Sequence, residues 1–208
     1  RRAPPRRNLH CRRSAQIFKI WEEVFNGRGR LVRVIAWQAA NPWWTEHILL
    51  PFEDTAKNCD AYAIAPYITM CTGPQTTPSS EEVSKWPLDR LFDHIGKDAL
   101  PQSIKWMKEQ KKIVEKYGLR LIAYEGGQHL VGVMGGQNDE KLTNLFISAN
   151  RDPKMGGVYK KYYDEWKNIS GDLFCTFSSV GGPSKWGSWG LAENYDDTAE
   201  NSPKLKAT

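Results

Sequence analysis

Four short segments of the chain are continuously apolar and rich in β-branched and aromatic residues. These segments are 31–38 (LVRVIAWQ), 60–67 (DAYAIAPY), 119–125 (LRLIAYE) and 172–178 (DLFCTFS). Runs of this length, bounded by polar and glycine-containing stretches, are typical of strands buried inside a sheet. The pattern therefore predicts four buried strands.

The stretches between these strands carry apolar residues at helical spacing. The helices predicted on this basis, together with the one before the first strand, are 14–25, 43–50, 80–95, 105–117, 140–149 and 158–166. Each stretch between strands is long enough to cross over a sheet, and such crossovers join parallel strands. The predicted fold class is α/β, with four parallel βα units.

The loops that follow these strands are the expected place for a site, because the carboxyl ends of parallel strands meet at one edge of a sheet. The loop after the second strand is the longest and holds four prolines between residues 67 and 105. Candidate residues are therefore sought in 38–44, 67–86, 125–137 and 179–189.

The sharpest local signal is the sequence LIAYEGG, in which an apolar strand ends at Glu125. Two glycines follow and would let the backbone turn away at once, leaving a carboxylate at the sheet edge. In an arbitrary loop such a glutamate is most often a solvated residue or the partner of an arginine. Its position after a strand, with Tyr124 and His129 nearby in sequence, favours an acid that belongs to a site.

Aromatic residues gather in the same loops: Trp43, Tyr67, Trp186 and Trp189. Indole and phenol rings stack on the C–H faces of sugars, and hydroxyls of the sugar then need amide or carboxylate partners such as Gln38, Asn41 and Gln128. The combination indicates a cleft for a glycan. Tryptophans at helical spacing, such as Trp21 and Trp106, are interpreted as ordinary packing residues.

Other chemistries find little support in the sequence. It has no G-x-S-x-G, H-E-x-x-H, Walker or G-x-G-x-x-G motif. Its four cysteines, Cys11, Cys59, Cys71 and Cys175, are widely spaced, so neither a zinc site nor one particular disulfide pairing is indicated. No metal and no cofactor is expected. Of the four histidines, only His129 lies where a site is expected.

Charge is concentrated at the start of the 208-residue chain. The net charge is +5, from 29 basic and 24 acidic residues, yet six of the arginines lie in residues 1–13, which leaves 23 against 24 in the rest. We predict a basic, flexible tail over 1–13 and one domain over 14–208. A neutral domain favours no nucleic-acid partner. No apolar run reaches about 20 residues and no leader precedes the domain, so a soluble chain without a membrane partner is expected.

Several of these motifs together resemble the second half of a clan A retaining glycoside hydrolase. They are IFKIWEEVF, VIAWQAANP, DAYAIAPYI, LRLIAYEGGQHL and FSSVGGPSKWGSWGLAE, and they span roughly residues 9–198. The clan folds as an eight-stranded (β/α)8 TIM barrel. The resemblance implies that Glu125 is in the nucleophile position, that Tyr67 steadies it, and that Trp186 or Trp189 forms the floor of a sugar subsite. It also implies an extracellular location.

The resemblance stops short of a whole enzyme. The first four strands are missing, and so is the Asn-Glu pair that carries the acid/base in this clan. The chain is therefore expected to be half of a barrel. An open four-stranded sheet would expose its edges and its inner face, so two copies are expected to close the barrel as a homodimer, or a rearranged tail to cover the edges.

Three functions follow from this reading of the sequence. The first is a glycoside hydrolase, with weak or assembly-dependent activity on a β-linked polysaccharide or oligosaccharide of the glucan or mannan type. The second is a carbohydrate-binding protein without catalysis, and the third is a structural fragment that binds nothing.

Overall fold

The computed structural model describes residues 6–208, with side chains from residue 9 onward. The helices are α1 (Arg6–Val24), α2 (Pro42–Trp44), α3 (Ser80–Val83), α4 (Leu88–His94), α5 (Leu100–Glu115), α6 (Glu140–Arg151), α7 (Pro153–Ile169) and α8 (Pro203–Lys206). The strands are β1 (Val34–Ala36), β2 (Ala61–Ile64), β3 (Ile68–Thr72), β4 (Arg120–Ala123), β5 (Gln128–Gly132), β6 (Ser178–Val180) and β7 (Gly190–Ala192). Single π-helical turns follow α2 and α4, at Thr45–Leu49 and Ile95–Ala99, and 3-10 turns lie at Phe52–Asn58 and Gly136–Asn138.

All six predicted helical stretches contain helix, although their bounds differ. The largest difference is in α1, which begins at Arg6 and so includes residues 6–13 of the predicted tail; residues 1–5 of that tail lie outside the described residues. Within this part of α1, Cys11 is 3% exposed and its thiol donates to the Leu49 carbonyl at 3.7 Å. The turn of α1 around Cys11 packs against the segment after α2, and this packing accounts for the longer helix.

Three of the four predicted strands form one parallel sheet. Its order is β1-β2-β4, with Ile35 paired to Tyr62 and Tyr62 paired to Leu121. The predicted strand over 172–178 is wrong as a continuous strand. Only Phe174 bridges to the sheet, beside Ala123, although the direction is parallel as expected.

The second and third predicted strands do not end where the sequence indicates. Three residues separate β2 from a further strand, β3, and four residues separate β4 from a further strand, β5. β3 and β5 pair with each other in parallel. Ile64 pairs with Ala123 and Ile68 pairs with Gln128, so four steps on one strand face five on the other. This extra residue is a β-bulge, here called the 124–127 bulge.

The 124–127 bulge also explains the interrupted fourth strand. Before the bulge, Ala123 donates to the Leu173 carbonyl and accepts from the Cys175 amide, both at 3.0 Å. Beyond it, the next backbone bond is from the Phe177 amide to the Gly126 carbonyl. The shift of register by one residue breaks the ladder at this point.

The sheet β1-β2-β4 has two different faces. One face, with Ile35, Tyr62 and Leu121, packs on the helices in the main core. The other, here called the second face, carries a separate apolar cluster of smaller residues: Val34, Ala36, Ala61, Ala63 and Ile122. Alternation from Phe174, which packs on the main core, puts Leu173 on the second face, where it is 57% exposed.

The protein is thus an α/β protein with parallel strands in small open sheets, and no barrel is seen among residues 6–208. At the outer edge of β1, the Ala36 carbonyl is hydrogen-bonded by His10 Nε2 of α1 at 3.1 Å. A third small sheet pairs β6 with β7 in parallel. The four cysteines are free thiols, with Cys11 and Cys59 buried and the other two half-buried.

Candidate functional site

The 124–127 bulge depends on its two glycines. A Cβ atom at Gly126 would lie 2.5 Å from Phe174 Cζ and 2.7 Å from the Tyr162 hydroxyl oxygen. Gly127 has a φ of +141°, which side chains of L-residues rarely adopt. The chain does bend at residues 124, 125 and 127, as the glycines lead one to expect, but it resumes at once as β5, shifted by one residue relative to the facing segment.

Two buried tyrosines of α7 form hydrogen bonds directly after the 124–127 bulge and in residues 65–67, which face the bulge between β2 and β3. The Tyr159 hydroxyl accepts a bond from the Gln128 amide at 2.9 Å, and the Tyr162 hydroxyl donates to the Pro66 carbonyl at 2.7 Å. Burial raises the pKa of both hydroxyls above the ordinary tyrosine value. They therefore remain neutral, and they fix the backbone that follows Glu125 and the backbone that precedes Tyr67.

Glu125 is half-buried beside two tyrosines. Burial, and then the Glu125 carboxylate, raise the pKa of the Tyr67 hydroxyl. The same two causes, in the same order, raise the pKa of Tyr124. Tyr67 is thus a neutral phenol that can donate a hydrogen bond to the carboxylate, which is the pairing that the resemblance implies for these two residues.

Tyr67 also belongs to a group of four rings, here called the aromatic wall: Tyr67, His129, Phe177 and Trp189. The ring centres of His129 and Trp189 are 4.9 Å apart, and Trp189 lies 5.9 Å from Tyr67 and 5.3 Å from Phe177. Three of these residues are candidates from the sequence. Phe177 is not, because it falls inside the segment interpreted as a buried strand; it is in fact 50% exposed.

His129 brings a polar group into the aromatic wall. Its Nδ1 atom lies 3.5 Å from the Cys71 thiol on the neighbouring strand, and burial lowers the pKa of its imidazole below the ordinary value. Burial also raises the pKa of the Cys71 thiol. At neutral pH the pair is therefore an uncharged imidazole and an uncharged thiol, suited to hydrogen bonding with a neutral ligand.

The turn 184–190 carries the two predicted subsite tryptophans. The Trp189 indole N–H donates to the Trp186 carbonyl at 3.1 Å, so the two residues are held as one unit. Trp189 joins the aromatic wall, whereas the Trp186 ring is 59% exposed and stacks under the Lys185 ammonium at 5.0 Å. Of the two, Trp189 lies closer to Tyr67 and the carboxylate beside it.

Gln128 lies within this assembly but its amide is occupied by protein groups. The side chain is 3% exposed, its Nε2 donates to the Ser188 carbonyl at 2.6 Å, and its Oε1 accepts from the Leu130 amide at 2.8 Å. The Gln128 side chain therefore connects β5 to the turn 184–190.

The candidates after β1 form a separate group. Gln38 and Asn41 are exposed, and Asn41 has a φ of 63° at the start of α2. Trp43 is 52% exposed and stacks on His47, with ring centres 4.9 Å apart. The Gln110 side chain of α5 donates to the Ala39 carbonyl, so this segment is tied to the helix layer and not to the aromatic wall.

Among residues 6–208, no group of three or more histidine, cysteine, aspartate or glutamate side chains is arranged to hold a metal ion. In the same part of the chain, no helix has the length and apolar character needed to cross a bilayer. A scan against protein-family models, a search of curated proteins and a search of solved structures each found no match to this chain.

Proposed function

We propose that this protein binds a β-linked polysaccharide or oligosaccharide along the aromatic wall, with Glu125 in the position of a glycosidase nucleophile. The observation that carries the proposal is the 124–127 bulge, which sets the half-buried Glu125 carboxylate beside Tyr67, a member of that wall. Glucans and mannans are the substrate class that the sequence resemblance implies.

Each part of the site has a role in this proposal. Trp189 and Phe177 offer flat apolar faces to the C–H side of a sugar ring, while His129 and Tyr67 offer neutral hydrogen-bonding groups to its hydroxyls. In the assembled pair, one Glu125 carboxylate would take a proton from the water that attacks the anomeric carbon, and the protonated Glu125 of the second copy would protonate the leaving oxygen. The Tyr67 hydroxyl would orient the carboxylate. The exposed Trp186 would extend the sugar platform beyond the wall.

Catalysis in this proposal depends on assembly, because glycoside hydrolysis needs two carboxyl groups. A second copy of the chain would supply a second Glu125 across a closed mouth. Carboxyl groups about 5–5.5 Å apart suit retaining chemistry and about 6.5–9.5 Å suit inverting chemistry. A symmetric pair at the larger separation would support weak inverting hydrolysis.

The half-barrel and its homodimer are part of the same proposal. The parallel order β1-β2-β4, with Phe174 bridged at its far side, is the order of consecutive barrel strands. The second face carries small and branched apolar residues, which are the types that fill a barrel interior. With Leu173 exposed there, a second copy would bury an apolar surface that now meets solvent.

Binding without turnover is the second candidate function. It is favoured by one specific observation: the sequence has no Asn-Glu pair to supply the acid/base. Release of reducing sugar from soluble β-glucan and β-mannan, compared between the wild type and Glu125→Gln, separates the two functions.

Under the hydrolase proposal the wild type releases reducing ends and Glu125→Gln releases none, while both bind oligosaccharide with affinities within about threefold. Glu115→Gln, on the exposed end of α5, is the control and keeps full activity. Equal release by the wild type and Glu125→Gln would remove Glu125 from the mechanism. Binding by both without any release would leave the binding protein as the function.

A further inference from the structure

A lysine is buried directly behind the aromatic wall. Lys204 lies on the short C-terminal helix α8 and is only 2% exposed, which is rare for a lysine. The segment that carries it packs closely on α7, because a Cβ atom at Gly156 would meet the Pro203 carbonyl oxygen at 2.7 Å. The C-terminal segment, residues 202–208, is thus docked on α7 with the Lys204 side chain on its buried side.

The Lys204 ammonium has a defined target. Its Nζ atom donates to the Ser188 carbonyl at 2.9 Å, and the same carbonyl accepts the Gln128 side-chain amide at 2.6 Å. Nζ also lies 5.7 Å from the centre of the Tyr159 ring. Ser188 directly precedes Trp189 in the turn 184–190, so one carbonyl joins the C-terminal segment, β5 and the turn.

The surroundings of Lys204 are nearly free of compensating charge. On the β7 side the nearest acidic group is Glu193, whose carboxylate is held by Arg151 at 2.9 Å. Asp197 accepts from the backbone amides of Glu193 and Asn194. On the α7 side stands the neutral Tyr159 phenol, and on the β5 side the neutral Gln128 amide. Within the described part of the chain, Ser188 alone accepts a hydrogen bond from Nζ.

We propose that Lys204 is a positioning residue, which holds the Ser188 carbonyl and thereby sets Trp189 against the other three rings of the aromatic wall. The docking of residues 202–208 through this contact strengthens as the pH rises above neutral. The effect of Lys204 on ligand affinity rests on the proposed carbohydrate site. Its effect on the docking of residues 202–208 does not.

The direction of the pH effect follows from burial. Burial lowers the pKa of Lys204 to about 7, whereas a solvated lysine titrates near 10.4. Below pH 7 both the docked and the released lysine carry a proton, so docking is at its weakest and does not change with pH. Between pH 7 and about 10 the released form binds more protons, and docking strengthens by up to tenfold per pH unit.

Of the other titratable groups in or next to the wall, the Cys71 thiol alone titrates in this window on unfolding, near pH 8.5, and its slope has the opposite sign and is the same in every variant. The pKa of His129 lies below its ordinary value, and those of Tyr67 and Tyr159 lie above the ordinary value of a tyrosine. The Cys71 thiol also has a raised pKa. Groups elsewhere that titrate between pH 7 and 10 act equally in every variant, so differences between variants isolate Lys204.

The experiment compares the wild type with Lys204→Met, Lys204→Gln and the exposed control Lys206→Met, between pH 7.5 and 9.5. Urea unfolding measures docking without any ligand, and titration with soluble β-oligosaccharides measures the site. In the wild type and in Lys206→Met, the unfolding equilibrium should shift toward the folded state by up to tenfold per pH unit relative to Lys204→Met.

The two Lys204 variants separate the donor from the charge. Lys204→Gln retains an N–H donor for the Ser188 carbonyl and should keep oligosaccharide affinity within about threefold of the wild type. Its unfolding equilibrium should show no pH slope relative to Lys204→Met. Lys204→Met should lose about tenfold in affinity. The Gln variant also keeps the test open if the Met variant fails to fold.

If the unfolding equilibrium changed with pH equally in the wild type and in Lys204→Gln, the proposal would be overturned. Wild-type affinity in Lys204→Met would overturn the positioning role. The expected unfolding slopes without oligosaccharide binding in any variant would support the docking role of Lys204, and would contradict the carbohydrate site itself.

Discussion

At the scale of single residues, the site depends on contacts that lie behind it. The Phe174 ring and the Tyr162 hydroxyl occupy the space that a side chain at Gly126 would need, and that hydroxyl donates to the carbonyl of Pro66, next to Tyr67. Glu125 and Tyr67 are therefore placed by side chains of α7 that cannot themselves touch a ligand in the cleft.

Gly126→Ala tests this placement. The added methyl group would overlap Phe174 and Tyr162, so we expect a loss of about 2–3 kcal/mol in the free energy of unfolding, measured by urea denaturation. Gly157→Ala in α7 is the matched control. No atom lies within 4 Å of its added Cβ, and alanine in a helix should raise the free energy of unfolding by up to about 1 kcal/mol. Similar losses in both variants would contradict the close packing at the bulge.

At the scale of elements, the hydrophobic pattern predicted the helices and three strands, because both depend on local periodicity. It did not predict the continuation of β2 into β3 or of β4 into β5. Gly126 and Gly127 are typical of a turn. The chain resumes there as a strand because the buried tyrosines of α7, which are far away in sequence, stabilise the bulge. Phe177 was missed for the same reason, since its exposure follows from the register shift.

The segment that begins at Asp172 is anchored by an ion pair across the sheet. Both oxygens of Asp172 accept bonds from Arg120 at 2.7 Å, and the Arg120 guanidinium holds the pKa of Asp172 at about 2. Because this folded-state pKa is lower than the ordinary value, the pair stabilises the protein above pH 4. The stabilisation decreases as the pH falls below 4 and is lost as the pH falls through about 2.

Asp172→Asn should therefore lower the free energy of unfolding by about 1 kcal/mol at pH 7, given the partial solvent screening of the pair. The difference from the wild type should vanish near pH 2. Asp164→Asn, in an exposed pair with Lys160, is the control and should change stability by no more than a few tenths of a kcal/mol. A difference that stays constant from pH 7 to pH 2 would show that the ion pair is not its source.

At the scale of the whole molecule, the sheet β1-β2-β4 is open and carries an apolar cluster on its second face. The sequence predicted parallel strands in the right order, and it also indicated that their edges and inner face need a cover. His10 of α1 covers part of the β1 edge, whereas Leu173 on the second face stays exposed.

Sedimentation of the wild type at micromolar concentration should give the mass of a dimer. Leu173→Glu introduces a charge on the second face and should give a monomer with unchanged helix content by circular dichroism. Tyr195→Glu, at a side chain that is 93% exposed, is the control and should remain a dimer. A wild type that sediments as a folded monomer would exclude the homodimer.

The central claim is that the aromatic wall beside Glu125 binds a sugar, and calorimetric titration of the protein with soluble β-linked gluco- and manno-oligosaccharides tests it most directly. We expect saturable binding that Trp189→Ala weakens at least tenfold and that Trp21→Ala, at a half-exposed indole on α1, leaves unchanged. No binding of either oligosaccharide series, or the same affinity in Trp189→Ala as in the wild type, would contradict it.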